Sequence, residues 1–352
     1  MSRNILILGA SYGSLLGTKL LMAGHNVTLV CREATAEKIN SEGTEVRIKL
    51  RDEDMHRHFR SDDLPGLLDA ATPSDVDVSR YDMVALAMSE PQYASEDIRA
   101  LMGRIADAGL PCLSIMNMPP LSYLKRIPGL DAEKLEPAFN NLEGWERFTP
   151  GNVTLCSPDP QAFRPPEEGA NVLHVGLPTN FKAAPFESDD HNAILRELEA
   201  DIDAVRIDEK DVPVKLRVFD SLFVPFAKWS MLLAGNYRCV LPVGEQAIKE
   251  AVLSNEDASA SLYNHVGEIV MRLGGEESSL VPFEKYAKAA TGLLKPSSAA
   301  RAIAAGADRI ERVDMLVFLI AQQLGMETAA IQNVVATVSK RLEDNRLKQK
   351  AA

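Results

Sequence analysis

The chain has 352 residues, 46% of them hydrophobic and 25% charged, with a formal net charge of −12 at pH 7. This length favours two domains over a single core. The acidic balance excludes nucleic acid and an anionic membrane surface as expected partners, because both require a basic face on the protein.

The first part of the chain alternates predicted strands and helices. Residues 4–8 (NILIL) form the short apolar run of a buried parallel strand, Ser14–Ala23 is a helix, and Asn26–Val30 (NVTLV) is a second strand. Further strands are predicted at Thr44–Leu50, Tyr81–Met88, Pro111–Met116, Asn152–Cys156 and Asn171–Val175, and helices at Ala94–Ala108 and His191–Val205. Such alternation predicts an α/β fold with a doubly wound parallel sheet.

After about residue 208 the strand patterns almost vanish. Helices are predicted at Val212–Tyr237, Gly244–Leu253, Ala258–Leu273, Phe283–Leu294, Ser297–Ala305, Arg309–Leu324 and Thr328–Leu347. We therefore predict a nucleotide-binding domain over residues 1–207, a helical substrate and dimerisation domain over 208–347, and a tail over 348–352.

Neither a cleavable leader nor an 18-residue apolar stretch follows the first methionine. The four scattered cysteines form no CxxC pair and are interpreted as buried thiols in a reducing compartment; they are Cys31, Cys112, Cys156 and Cys239. These features predict a cytoplasmic protein.

A glycine-bearing turn follows the first strand and opens the first helix. It comprises Gly9, Ala10, Ser11, Tyr12 and Gly13. The dinucleotide fingerprint G-x-G-x-x-G is one residue longer and has a central glycine that is missing here. The position still offers backbone N–H groups to a phosphate, so we predict a cofactor site. The alternative is an ordinary turn of an α/β domain that binds no nucleotide.

The second strand ends in Val30-Cys31-Arg32-Glu33. Proteins specific for NAD place a carboxylate here for the ribose hydroxyls, whereas a 2′-phosphate requires an arginine and no carboxylate. Cys31 occupies the acidic position and Arg32 follows it, which favours NADP(H). Glu33 complicates this prediction. It is either a solvated acid at the start of a helix or a carboxylate whose charge weakens the binding of a phosphate.

The segment Leu8–Arg32 (LGASYGSLLGTKLLMAGHNVTLVCR) is similar to the opening of the ketopantoate reductase (2-dehydropantoate 2-reductase) family. The resemblance implies a Rossmann-type domain followed by an all-α domain like that at the C terminus of 6-phosphogluconate dehydrogenase. It also implies NADPH-dependent reduction of a 2-oxo acid and a homodimer. It covers most of the chain but is sparse between Pro119 and Ile207.

The resemblance assigns a catalytic lysine and two substrate-binding asparagines. Lys228 lies in an apolar segment, where a desolvated ammonium can donate a proton to the oxygen that gains charge as hydride arrives. The family places an asparagine eight residues after this lysine, which is Asn236 here. On a regular α-helix the two residues would be about 80° and about 12 Å apart. Asn117, just after a strand, would lie beside the nicotinamide and the substrate.

The alternatives for these residues are structural. Lys228 could extend its ammonium to solvent, and Asn117 could be a turn residue. The resemblance also assigns Ser298 to substrate binding and Glu311 to an ion pair with the lysine. Glu311 lies one residue later than in the family pattern, so an exposed helix acid or a role for Asp314 instead remains open.

Three positions depart from the family pattern. Met88 replaces a lysine that contacts the cofactor phosphate, so Met88 is expected to line the cofactor site without that contact. Leu232 replaces an asparagine of the substrate site, and Met118 replaces the glycine that follows the family's asparagine, here Asn117. The loss of a polar contact at Leu232 and the bulkier side chain of Met118 predict a more apolar or larger 2-oxo acid than ketopantoate.

Two other functions remain open. The protein could be an opine-type dehydrogenase that reduces an imine, or an NADP-binding sensor without catalytic activity. The pair His56 and His58 falls in a charged segment that we interpret as an exposed hairpin, so no metal site is predicted.

Overall fold

The computed structural model describes residues 1–351. The strands are β1 (Asn4–Leu8), β2 (Asn26–Val30), β3 (Glu45–Lys49), β4 (His56–Arg60), β5 (Leu68–Ala71), β6 (Met83–Leu86), β7 (Cys112–Ile115), β8 (Val153–Ser157), β9 (Gln161–Phe163), β10 (Val172–Leu177), β11 (Phe181–Ala183), β12 (Arg206–Ile207), β13 (Lys210–Asp211) and β14 (Leu216–Val218). The helices are α1 (Tyr12–Met22), α2 (Glu33–Glu42), α3 (Glu96–Asp107), α4 (Leu121–Leu124), α5 (Leu142–Glu146), α6 (Asp189–Ala204), α7 (Trp229–Met231), α8 (Ile248–Leu253), α9 (Glu256–Leu273), α10 (Phe283–Ala290), α11 (Ser298–Ala304), α12 (Val313–Gln323) and α13 (Ala329–Ala351).

The chain divides into two compact units. Unit 1 comprises Met1–Met88, Gln92–Arg126 and Glu143–Leu222, and unit 2 comprises Ser89–Pro91, Ile127–Leu142 and the chain from Phe223 onward. Strand β14 belongs to unit 1, so the first sheet extends beyond the predicted boundary at residues 207 and 208.

Unit 1 is built on an eight-stranded sheet with the order β14-β11-β8-β7-β6-β1-β2-β5. Within this order, the adjacent strands β8, β7, β6, β1, β2 and β5 are all parallel, and β11 runs antiparallel to β8. Residues Ile5 to Leu8 of β1 are completely buried, and each such side chain stabilises the fold by roughly 1.5–3 kcal/mol. The predicted Rossmann-type α/β class is confirmed.

A second sheet of four strands, with the order β4-β3-β10-β9, also belongs to unit 1. The segment predicted at Thr44–Leu50 is a strand, but it lies in this sheet and not in the main one. It forms an antiparallel hairpin with β4, in which Lys49 is opposite His56. The hairpin predicted around the histidine pair is therefore confirmed.

Unit 2 is helical; among its described residues the one β contact is the isolated bridge between Val240 and Glu245. The single long helix predicted at Val212–Tyr237 is wrong, because β14 occupies its first part and the helical structure starts near Val224. The predicted tail is, as far as Ala351, the exposed last turn of α13. Within residues 1–351, every helix is too short or too polar to cross a bilayer.

Candidate active site

Unit 1 has a cleft of about 730 Å³ at the carboxyl ends of β1 and β2. Strand β1 lies between β2 and β6, so the chain order reverses at this point, and open α/β sheets bind ligands there. The volume falls within the roughly 300–1,000 Å³ of ordinary ligand pockets. The lining residues include Gly9, Ala10, Ser11, Cys31, Arg32, Thr35, Met88, Gln92, Ser95, Asp97 and Arg164.

The glycine turn has the backbone geometry that a nucleotide loop requires. Gly9 has a φ of +103°, and a Cβ there would lie 2.8 Å from the carbonyl oxygen of Ala87. A Cβ at Gly13 would lie 2.7 Å from Cγ2 of Ile7, so this glycine lets α1 pack closely on β1. Ser11 replaces the missing central glycine and is exposed at the start of α1, with a φ of −97° that any residue can adopt.

The position directly after β2, which carries a carboxylate in NAD-specific proteins, is Cys31 and is uncharged at neutral pH, whereas Glu33 is exposed in the first turn of α2 and does not line the cleft. Cys31 is half-buried, and burial raises the pKa of its thiol to about 11, although the charge of Arg164 acts in the opposite direction. Arg32 is exposed at the N-cap of α2 and lines the cleft. The residues present thus fit a dinucleotide whose adenosine ribose carries a phosphate.

The two other predicted residues of unit 1 lie at strand ends. Met88 follows β6 and lines the cleft, and its Cγ would lie 2.6 Å from a Cβ at Gly9. Met88 therefore packs on the glycine turn as an apolar neighbour. Asn117 is half-buried two residues after the end of β7.

In unit 2, the segment carrying Lys228 and Asn236 is not a regular α-helix. Val224–Lys228 is a 3₁₀ segment, a single α-helical turn follows, and Leu232–Asn236 is a π-helix. The expected separation of about 80° and about 12 Å assumed a regular α-helix, so it does not apply here. A π-helical turn is uncommon and often occurs at a functional site.

Lys228 is half-buried, not fully buried as a desolvated ammonium would be. Its sequence neighbours Phe226 and Trp229 are buried, and their rings stack with centroids 4.1 Å apart. The apolar surroundings inferred from the sequence are therefore present, although the side chain retains some contact with solvent.

The predicted serine pair divides between two positions. Ser298 is exposed at the first residue of α11, whereas Ser297 is buried at the N-cap. The Ser297 hydroxyl donates to the carbonyl oxygen of Asn236 (2.7 Å) and accepts from the N–H of Ala300 (3.1 Å). Ser297 thus joins α11 to the end of the π-helix and leaves Ser298 as the residue available to a ligand.

The two acidic candidates also differ. Asp314 is completely buried, and both of its carboxylate oxygens accept from Arg312, at 2.9 and 3.0 Å. Glu311 is half-buried, and its carboxylate accepts from the N–H of Glu90 (3.3 Å). Asp314 is therefore held in a buried ion pair, whereas Glu311 is partly accessible to solvent.

Several residues that hold these groups were not identified from the sequence. The hydroxyl of Tyr237 donates to the carbonyl oxygen of Glu311 (2.6 Å) and accepts from the N–H of Val313 (3.0 Å). Burial, with the nearby charges of Asp314 and Glu311, raises the pKa of this phenol well above its usual value, so it remains neutral. The carboxylate of buried Glu90 accepts from the backbone of Asn140. No sequence pattern marked either residue.

The family model described as ketopantoate reductase PanE/ApbA matches residues 5–83. This match confirms the resemblance predicted from the glycine turn and the second strand. No curated protein matches the sequence significantly.

Solved structures match almost the whole chain. A protein from Ralstonia solanacearum MolK2, described provisionally as a ketopantoate reductase, has 16% identity and a TM-score of 0.70, with 98% of this chain and 99% of that chain covered. D-mandelate dehydrogenase with NADH and anilino(oxo)acetate has 13% identity and a TM-score of 0.65 over 97% and 99%. A dimeric ketopantoate reductase from Staphylococcus aureus has 10% identity and a TM-score of 0.60 over 97% and 99%. At these identities the likeness shows a shared fold.

Proposed function

We propose that the chain is an NADPH-dependent reductase of a 2-oxo acid, with Lys228 as the general acid. The observation that carries the proposal is the cleft of unit 1, where the Gly9 turn and Arg32 meet at the reversal of strand order. The match to the ketopantoate reductase family model over residues 5–83 supports the same function.

When bound, NADPH would supply the hydride for the new C–H bond at the keto carbon, and the carbonyl π electrons would move to oxygen. Lys228 gives one proton from its ammonium to that oxygen, which yields the 2-hydroxy acid and a neutral amine. Solvent then returns the proton to Lys228, which its half-buried position allows. Glu311 supports the charged form of the lysine before the transfer, because a nearby carboxylate favours an ammonium.

Three further residues are proposed to orient the acceptor. Asn117 and Asn236 offer both a donor and an acceptor, and Ser298 offers an exposed hydroxyl. Leu232, buried in the π-helix, replaces a polar family position. The acceptor is therefore proposed to be more apolar than ketopantoate, and the fold shared with a protein that holds anilino(oxo)acetate supports this direction.

The test is the oxidation of NADPH over a panel of 2-oxo acids, including ketopantoate, branched aliphatic acids and phenylglyoxylate. We expect turnover to be highest with an apolar acid and Lys228→Ala to lower kcat by roughly 10²- to 10⁴-fold. The dissociation constant of NADPH should change little. Lys288→Ala removes an exposed lysine of α10 and is the matched control, with expected wild-type rates.

Three outcomes would overturn the proposal. Oxidation that requires an added amine would indicate an opine-type dehydrogenase. Tight NADPH binding without turnover of any acid would indicate a sensor, which the shortened glycine turn would then explain. Full activity in Lys228→Ala would remove the proposed general acid.

We also propose that the protein forms a homodimer, as the Staphylococcus aureus ketopantoate reductase of the same fold does. Light scattering coupled to size-exclusion chromatography should give about twice the chain mass of 38.5 kDa. A monomer at micromolar concentration would contradict this part of the proposal.

A further inference from the structure

Arg164 reaches the cleft of unit 1 from the second sheet. It directly follows β9, and its Nη2 donates to the carbonyl oxygen of Ala10 in the glycine turn (2.8 Å). Arg164 is exposed overall and lines the cleft together with Arg32. Arg164, which lies 154 positions after Ala10 in the sequence, therefore contributes to the predicted cofactor site.

The loop that carries Arg164 is tied to neighbouring elements of unit 1. Nη2 of Arg47 in β3 donates to Oε2 of Glu168 (2.8 Å). The side-chain amide of Asn171 donates to the carbonyl oxygen of Gly43 (2.9 Å). These bonds hold the middle and the end of the loop against neighbouring elements, and the contact with Ala10 places the Arg164 guanidinium at the glycine turn.

Two guanidinium groups line this cleft, and each is within reach of the other's charge. Although Arg164 is exposed as a whole, partial burial of its guanidinium lowers its pKa, and the charge of Arg32 lowers the pKa further, whereas Cys31 acts in the opposite direction. Asp97 is the one carboxylate among the cleft-lining residues named for unit 1, so two positive charges are opposed by one negative charge. Like charges held together favour an anionic ligand, and a dianion would compensate both.

Most of the donors on these two groups have no protein acceptor. A guanidinium has five N–H donors. Within residues 1–351, the acceptor found for Arg164 is the Ala10 carbonyl oxygen, and the Arg32 side chain has none. The remaining donors are thus available to a ligand in the cleft, and planar guanidinium groups match phosphate oxygens well.

We propose that Arg164 is a second arginine for the 2′-phosphate of NADP(H). It acts with Arg32 and compensates for Met88, which has no charge to offer a phosphate. This inference rests on the proposed function, because it assigns a specificity residue to the same cofactor site. Arg32 directly follows Cys31, whose thiol takes the place of the NAD-specific carboxylate, and the charge of Arg164 also acts on that thiol. A 2′-phosphate must lie at this position.

The experiment compares the dissociation constants of NADPH and NADH, measured by fluorescence titration of wild-type protein and variants. We expect Arg164→Gln to weaken NADPH by roughly 10- to 100-fold, the range for one charge-assisted contact. The affinity for NADH should fall by less than about threefold, because NADH lacks the phosphate that the arginine contacts. Arg164→Lys should retain an intermediate preference for NADPH.

The matched control is Arg57→Gln. Arg57 lies in β4 of the same sheet and pairs with Glu53 and Asp208 outside the cleft, so the preference for NADPH should be unchanged. Thermal melting of each variant, together with its NADH affinity, shows whether the glycine turn is intact.

Each contrary outcome has a distinct meaning. Equal weakening of NADPH and NADH would show that Arg164 only supports the glycine turn or the pyrophosphate, and would overturn the inference. Wild-type affinity of Arg164→Gln for both cofactors would overturn it as well, while leaving the proposed function in place. A wild-type protein that binds neither cofactor would overturn both.

Discussion

The two units form their candidate sites in different ways. In unit 1 the glycine turn, Cys31 and Arg32 all directly follow strands β1 and β2, so the order of elements brings them to one sheet edge. In unit 2 the candidate groups are side chains from three segments far apart in sequence. The segments are 224–239, 297–298 and 311–314.

The difference is clearest where similar residues stand close together in unit 2. Ser297 is a buried helix cap beside exposed Ser298, and Asp314 is a buried ion-pair partner three residues after half-buried Glu311. In each case one residue is buried in a structural contact and its neighbour is more accessible to solvent. Residue type and spacing alone do not distinguish such neighbours, but burial and hydrogen bonding do.

The largest effect on the free energy of unfolding is expected when the buried carboxylate of Asp314 is removed. Asp314→Asn leaves the mostly buried guanidinium of Arg312 without its charge partner, and breaking a buried pair costs about 3–5 kcal/mol in the free energy of unfolding. Glu311→Gln should change stability by less than about 1 kcal/mol but lower kcat by roughly tenfold or more. Chemical denaturation and steady-state kinetics measure the two quantities.

The chain has two tryptophans, Trp145 in unit 1 and Trp229 in unit 2. In a Trp145→Phe background, the fluorescence of Trp229 therefore reports the unfolding of unit 2. A lower kcat in Asp314→Asn at unchanged stability would reverse the assignment of the two acids.

Unit 1 should instead be sensitive to a change of backbone geometry. Gly9→Ala is expected to cost roughly 1–3 kcal/mol and to weaken NADPH binding at least tenfold, because the added Cβ meets the Ala87 carbonyl oxygen. The control is Gly24→Ala. Gly24 also has a positive φ (+85°), but a Cβ added there would meet no atom within 4 Å. This variant therefore introduces backbone strain without a steric clash. Similar NADPH affinity in both variants would refute a backbone-built site.

Much of unit 1 could be predicted because its signals are local. A buried apolar run, a glycine turn and a second apolar run predicted β1, α1 and β2 nearly to the residue. The glycine turn, which is the proposed cofactor site, was predicted from the same segment. Arg164 could not be found in this way, because it reaches Ala10 through a sheet that pairs β3 with β10 across more than 100 residues.

The error at Val212–Tyr237 has a similar origin. Apolar residues throughout this stretch are compatible with a strand or a helix, and only the pairing of β14 with β11 decides for a strand. The change from 3₁₀ to α to π between Val224 and Asn236 leaves no trace in hydrophobic periodicity. Apolar neighbours are what distinguish Lys228 in the sequence, but Lys19 meets that criterion more fully.

The smallest expected effect separates these two lysines, one in each unit. Lys19 in α1 is completely buried, and its Nζ donates to the carbonyl oxygens of Val212 (3.2 Å) and Pro213 (3.0 Å). Burial, with the charge of Lys215, lowers the pKa of Lys19 to about 7. Since protein acceptors already satisfy this amine, we expect Lys19→Met to retain the kcat that Lys228→Ala loses.

The buried amine should also make the stability of unit 1 depend on pH. Between pH 7 and about 10 the unfolded chain keeps a proton on Lys19 that the folded chain has released, so the free energy of unfolding rises with pH. The slope is at most about 1.4 kcal/mol per pH unit for one proton, and Lys19→Met should remove it.

Denaturation at pH 7.5, 8.5 and 9.5 in a Trp229→Phe background measures this slope through the fluorescence of Trp145. Lys38→Met, which removes a lysine paired with Glu42 on the surface, should keep the wild-type slope. Equal slopes in wild type and Lys19→Met would mean that Lys19 stays charged when folded, and burial would then not distinguish Lys19 from Lys228, the proposed general acid.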